Sequence, residues 1–200
     1  LTGATICVST GTTTELNLAD YFRTNNMTYK AFTTADSNVA RETYEKGGCD
    51  ANTNDKSSLA SSRATFAKPG DHVILPETIS KEPLGPVTRH GDNQWGDIVR
   101  WSLYVMIAAE EFGITAANVD KVRAETKDPE IRRMLGVEGE LHKGLGLDKD
   151  WAYRIIKQVG NYGESYERNV GANTPLAIPR DGSLNALWTK GGLMYTPPFR

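Results

Sequence analysis

Over the first ninety positions the apolar residues come in short clusters whose spacing alternates between two periods. Ile6-Cys7-Val8 is a continuous apolar run inside Thr5–Ser9, the signature of a strand covered on both faces, and Gly11 breaks it with a turn. From Thr13 onward Leu16, Ala19, Tyr21 and Phe22 return at helical spacing. The alternation then repeats as strand Thr28–Thr33, helix Ser37–Lys46, strand Cys49–Thr53 and helix Ser57–Phe66, followed by strands at His72–Leu75 and Leu84–Thr88. Such a rhythm predicts an α/β unit with a mostly parallel sheet and helices on both faces. In these sheets ligands sit beyond the carboxyl ends of the strands, which places Ser9–Thr13 and Asn54–Asp55 at the edge of interest.

After Arg89 the strand signals give way to helices. Gln94–Phe112 is apolar nearly all round, a pattern that requires burial on several sides, and Gly113 suits its C-terminus. Shorter helices are expected at Asn118–Glu125 and Pro129–Leu135, with a Gly-rich loop over Lys143–Leu147. A long helix is predicted over Asp150–Asn169, with Ala152, Ile155, Ile156, Val159, Tyr162 and Tyr166 as its apolar stripe. Leu184–Arg200 reads as an extended arm that packs over another surface. These helices carry more apolar face than they can cover among themselves, so the segment either wraps the sheet or needs a partner.

Composition narrows the function more than it names it. A net charge of −2 and a pI near 6.0 give no basis for binding nucleic acid or an anionic membrane surface. The longest apolar run, Trp101–Ala109, is too short to span a bilayer. No leader is visible and the first residue is Leu1, which suggests a processed or trimmed product. His72, His90 and His142 lie on unrelated segments without metal-ligand spacing, and no nucleophile elbow or paired carboxylate stands out. Catalytic machinery, a metal site and a bound cofactor are therefore not expected. Ser57, Ser58, Ser61 and Ser62 beside Arg63 read as a solvated helix face. The two cysteines, Cys7 and Cys49, fall in strands that can be neighbours, so they are either a disulfide or two small buried thiols.

The candidate chemistry lies at two strand ends. Thr12 followed by Glu15 is a capping box, so a helix begins near Thr13 with free N–H groups that form a seat for a small anion or carboxylate. The plain alternative is a Gly-Thr turn that only caps its helix. One Gly and no following Lys exclude a dinucleotide fingerprint and a phosphate loop. Asp55, facing the same crevice as Thr12 and Thr13, either pairs with a ligand ammonium or caps the helix that starts near Lys56. Together the seat and Asp55 suit a zwitterion.

The stretches VSTGTTTE (Val8–Glu15), GCDANTND (Gly48–Asp55), SRAT (Ser62–Thr65) and KEPLGPVTRHGDNQW (Lys81–Trp95) resemble the periplasmic amino-acid-binding proteins of ABC importers, most closely the general L-amino-acid-binding group. DWAYRII (Asp150–Ile156), GNYGE (Gly160–Glu164) and LWTKGGLMYTPPFR (Leu187–Arg200) extend the likeness over essentially the whole chain. The resemblance implies a periplasmic protein with no enzymatic activity whose partners are L-amino acids and a membrane permease. It implies that 1–83 form the second, inter-hinge lobe, 84–89 the return hinge strand, and 90–200 a helical segment that completes the first lobe, with the N-terminal lobe itself missing. It implies that Thr13 offers a backbone N–H to the ligand carboxylate, Thr12 shapes the turn, Asp55 pairs with the ammonium, and Ser9 and Asn54 face the ligand side chain. Small neutral residues at those two positions fit broad specificity. The resemblance also implies that Cys7 and Cys49 form a disulfide, since they fall on neighbouring strands of that fold and the periplasm is oxidising. Surface left by the missing lobe would invite a second copy of the chain, and an oligomeric interaction protein without ligand capture is the alternative reading.

Overall fold

A computed structural model describes all 200 residues, which separate into two compact units, Leu1–Leu84 and Gly85–Arg200.

The first unit is a three-stranded parallel sheet, β1 (Thr5–Ser9), β2 (Lys30–Thr34) and β3 (Ala51–Asn52), in the order β2-β1-β3. Helices α1 (Thr13–Thr24), α2 (Ser37–Glu45) and α3 (Lys56–Thr65) follow the three strands in turn. Side chains of a strand alternate between faces, and the two faces of β1 show it. Ile6 and Val8 pack with Leu18 and Phe22 of α1, while Cys7 packs with Ala40 of α2 and with Cys49. On α1 the core positions are Leu18 and Phe22, four apart, whereas Leu16 points to solvent at 67% exposure. The register Ser9↔Thr34 and Cys7↔Asn52 brings the carboxyl ends of all three strands to one edge.

Cys7 and Cys49 are joined by a disulfide across 5.8 Å between Cα atoms. Cys49 lies two residues ahead of β3, not within it, and Asp50 N–H donates to the Thr5 carbonyl (2.9 Å) to hold that approach alongside β1. The strands expected at His72–Leu75 and Leu84–Thr88 do not form. Pro76, Pro83 and Pro86 cannot donate to a ladder, and Val73, Leu84 and Val87 stay exposed, Val87 at 95%. His72 itself is half-buried, its ring bonded to the Tyr44 hydroxyl (2.9 Å) and tilted on Phe66.

The second unit is helical: α4 (Asn93–Glu111), α5 (Val119–Glu125), α6 (Pro129–Met134), α7 (Leu141–Leu145), α8 (Trp151–Val159) and α9 (Tyr162–Asn169). Its single core gathers Val105, Val119, Met134, Trp151 and Ile156 from these helices and Ile114 and Leu135 from the turns that follow α4 and α6. The stretch expected as a loop at Lys143–Leu147 is largely the short helix α7, closed by a left-handed Gly146. The long helix expected over Asp150–Asn169 is two helices. Gly160, at φ +88°, breaks the run, and Asn161 restarts it with a full capping box to Glu164. Asn161 also donates to the Ile114 carbonyl (2.8 Å), so the break is tied into the loop after α4. The C-terminal arm docks on this unit: Phe199 is 1% exposed, meets the Trp101 ring edge-on at 5.3 Å, and is held by Arg133 and Glu130.

Candidate functional site

Ser9, Thr12 and Thr13 gather at the exit of β1, where Gly11 takes the left-handed turn at φ +70°. Thr12 is the N-cap of α1: its hydroxyl accepts from Glu15 N–H (3.2 Å) and donates to the Ser9 carbonyl (2.8 Å). The capping box is only half as expected. The Glu15 carboxylate reaches Gly11 N–H (2.7 Å), one residue ahead of the cap, and leaves the N–H of Thr12 unclaimed. With Thr13 and Thr14, three successive N–H groups at the positive end of a twelve-residue helix have no acceptor in the chain. That arrangement can accept a carboxylate.

Asn54 and Asp55 stand at the exit of β3, the strand adjacent to β1. Continuing the Cys7↔Asn52 register by two residues brings Asn54 level with Ser9. Asp55 occupies the N-cap position of α3 but makes no capping bond with its side chain. Its own N–H is taken by Asn54 Oδ1 at 2.9 Å. The half-buried carboxylate is thus free of the helix it precedes, and Asp55 does not cap α3 with its side chain. The chain brings the anion-accepting turn and an unengaged carboxylate to one sheet edge.

A second feature of this unit escaped the sequence reading. Between α2 and α3 lies a cavity of about 380 Å³, lined by Ser57, Ser58, Ser61 and Ser62 together with Arg41, Asn52 and Asn54. The serines expected to be a plain solvated face are one wall of it. Arg41 on α2 and Asn52 on β3 come to line the same cavity through the return of the chain from α2 into the sheet, so no local motif announces them.

The second unit contains its own charged clusters. Arg180 makes a bidentate pair with Glu110, both nearly buried, and lies over the rings of Tyr162 and Tyr166. Burial pushes both tyrosine hydroxyls above their ordinary range. Asp120 accepts from Lys157 Nζ (2.7 Å) and the Tyr153 hydroxyl (2.8 Å), which hold its carboxyl below the usual carboxylate value. No three His, Cys, Asp or Glu side chains converge to hold a metal ion, and no helix is long and apolar enough to cross a membrane.

A parallel α/β unit with unclaimed amides and a free carboxylate at its carboxyl edge, followed by a helical unit, matches the periplasmic-binding-protein fold, and the chain is homologous over its whole length to amino-acid-binding proteins of ABC transporters. It is 60% identical over 200 residues to the glutamate/glutamine/aspartate/asparagine-binding protein of Rhodobacter capsulatus and 54% identical over 202 residues to the general L-amino acid-binding periplasmic protein of Rhizobium johnstonii. It is 50% identical to a putative amino-acid ABC transporter-binding protein of Escherichia coli. These matches take in 100% of this chain but only 58–59% of each relative, so the chain spans about three fifths of their length. A solved ABC transporter/periplasmic binding protein from Brucella ovis with glutathione bound superposes with a TM-score of 0.89 at 52% identity, over 100% of this chain and 62% of that one. No family model matches the chain.

Proposed function

We propose that this chain supplies one jaw of an amino-acid clamp in a periplasmic substrate-binding protein that serves an ABC importer. In this reading the α-carboxylate of an L-amino acid takes the Thr13 N–H, with Thr12 shaping the turn. Its ammonium pairs with Asp55, and Ser9 and Asn54 face its side chain. Residues 1–83 act as the inter-hinge lobe, 84–89 as the return connection, and 90–200 as part of the other lobe. The ligand range is broad, the partner that receives the amino acid is a membrane permease, and no bond is made or broken. The observation that carries the reading is the Asp55 carboxylate, which sits at a helix N-cap without capping, beside a turn with three unclaimed N–H groups. A free carboxylate next to free amides is complementary to a zwitterion and to little else of that size.

Calorimetry with a panel of L-amino acids tests it. Heat is expected with several of them, and Asp55→Asn should weaken all in parallel by about 10- to 100-fold, the worth of a hydrogen bond to a charged group. No heat with any L-amino acid at millimolar concentration would overturn it. A second reading, an interaction protein that captures no ligand, is favoured by the exposed apolar residues Val73, Leu84 and Val87. It predicts self-association by light scattering together with that absence of heat.

A further inference from the structure

The cavity between α2 and α3 has a chemistry of its own. Every residue that lines it is polar, and the one charged member is Arg41. Arg41 Nε–H and Asn52 Oδ1 are also the two side-chain polar atoms of the whole chain that are buried and find no hydrogen-bond partner. A buried donor or acceptor left unmet destabilises the fold, and native chains rarely keep one without a use for it. The rest of the guanidinium makes no hydrogen bond in the chain either, since its counter-charge Glu42 stands 3.9 Å from a terminal nitrogen. The α3 wall adds hydroxyls. Ser57 and Ser61, like Ser58 and Ser62, are four apart and so share one face of the helix. The hydrogen bond beside them, from the Thr65 hydroxyl, goes to the Ser62 carbonyl (2.8 Å) and leaves all four serine hydroxyls free to turn toward a ligand.

These groups require two properties of one small molecule. A guanidinium without a single hydrogen bond calls for negative charge spread over several acceptor oxygens, which the serine hydroxyls can share. The Asn52 oxygen calls for a donor. A carboxylate or a sulfate brings the charge and no proton, whereas a neutral amide or alcohol brings the proton and no charge. Hydrogenphosphate brings both, because it keeps one P–O–H group at neutral pH beside three oxygens that carry the charge. Hydrogencarbonate has the same pair of properties with only two such oxygens, one fewer for Arg41 and the hydroxyls to hold. We infer that the α2–α3 cavity is a binding site for inorganic phosphate, with Arg41 donating to its charged oxygens and Asn52 Oδ1 accepting from its remaining hydroxyl. Bound there, the ion links α2 to β3 and α3 and leaves the Thr13 amide and the Asp55 carboxylate untouched. The inference therefore stands whether or not an amino acid binds at Asp55.

The test uses the full chain without any amino acid, with inorganic phosphate as the probe and ionic strength held constant by sodium chloride. Phosphate at up to about 50 mM, the weak range expected of so small a ligand, should move the Asn52 side-chain amide and the backbone amides around Arg41 and Ser57–Ser62 in nitrogen-edited NMR. Sulfate, and methyl phosphate at about pH 7.5, where a phosphate monoester is almost wholly ionised, have no proton to give Asn52. Both should bind about tenfold more weakly, the worth of one hydrogen bond, and so separate free phosphate from a phosphate ester. Hydrogencarbonate should also bind more weakly than phosphate. Arg41→Met should abolish the phosphate response, and Asn52→Leu should bring phosphate down to the level of sulfate while leaving sulfate unchanged. The parent chain decides the matter if either variant fails to fold. Unmoved signals, or sulfate, methyl phosphate or hydrogencarbonate matching phosphate, would overturn the inference, as would a phosphate response that survives in folded Arg41→Met.

Discussion

The two units solve the same problem, covering apolar surface, by different means. The helical unit has one continuous core to which helices α4 to α8 and the C-terminal arm contribute, with Trp151 and Phe199 among its largest members. The α/β unit divides its core across the two faces of a three-stranded sheet, four buried residues on the α1 side and three on the α2 side, and two of those three are the disulfide cysteines. A three-stranded sheet with a two-residue edge strand is marginal unless something else holds it. Here a covalent link does so. The unit that presents unclaimed amides, a free carboxylate and a polar cavity is the one with least packing behind it. Polar groups left without a hydrogen-bond partner cost stability, and the crosslink offsets that cost.

All four tryptophans, Trp95, Trp101, Trp151 and Trp188, belong to the helical unit, so their fluorescence reports that unit alone. Reducing the Cys7–Cys49 bond, or replacing both residues by Ser, should remove about 4 kcal/mol of chain-entropy stabilisation for a separation of 42 residues. Hydrogen exchange of the β1 amides should accelerate sharply while the urea midpoint read by Trp fluorescence stays in place. A Trp midpoint that falls in step would mean that the two units unfold as one and that the helical core does not stand independently of the crosslinked sheet.

The reciprocal experiment cuts the helical core. Phe199→Ala removes a ring that is 1% exposed and set against Trp101, and truncations of this kind cost about 3–5 kcal/mol. The Trp midpoint should drop, with β1 exchange unchanged. A loss below about 1 kcal/mol would show that the arm is an ornament on a core complete without it.

How far these features were legible in advance depended on how local their causes are. The β1–turn–α1 unit was readable because a continuous apolar run, one glycine and a Thr cap lie within fifteen residues. The disulfide needed sheet order, which spacing alone left open and family resemblance supplied. The strands expected at His72–Leu75 and Leu84–Thr88 do not form: Pro76 closes the first directly after four residues, and Pro86, which cannot join a ladder, lies inside the second. The long C-terminal helix failed at Gly160, where the apolar stripe runs on across a break that only the Asn161–Glu164 cap reveals. In the candidate site, Thr13 and Asp55 could be named as residue types at strand ends, but nothing local said that Asp55 declines its capping bond. The α2–α3 cavity was invisible because Arg41 and Asn52 are brought together by a crossover, and a serine-rich helix looks the same whether it faces water or a cavity.

The smallest expected effect tests whether surface charge matters at all in the better packed unit. Asp120 on α5 takes hydrogen bonds from Lys157 and Tyr153 on α8, and Arg123 covers the Tyr153 ring at 4.4 Å, so an exposed polar cluster links two core helices. Those bonds, the one from Lys157 foremost, stabilise the ionised carboxylate and hold its pKa below the ordinary value of about 3.9. The folded protein therefore binds this proton less readily than the unfolded chain does. The resulting stabilisation is fully present above the ordinary value and is lost as the pH falls through the lower, folded one. Asp120→Asn should be slightly less stable than the parent at neutral pH, by a margin that salt reduces, and the two Trp midpoints should converge once the pH drops well below about 3.9. A gap that persists unchanged into acid would mean that Asp120 acts through the shape of its hydrogen bonds and not through its charge.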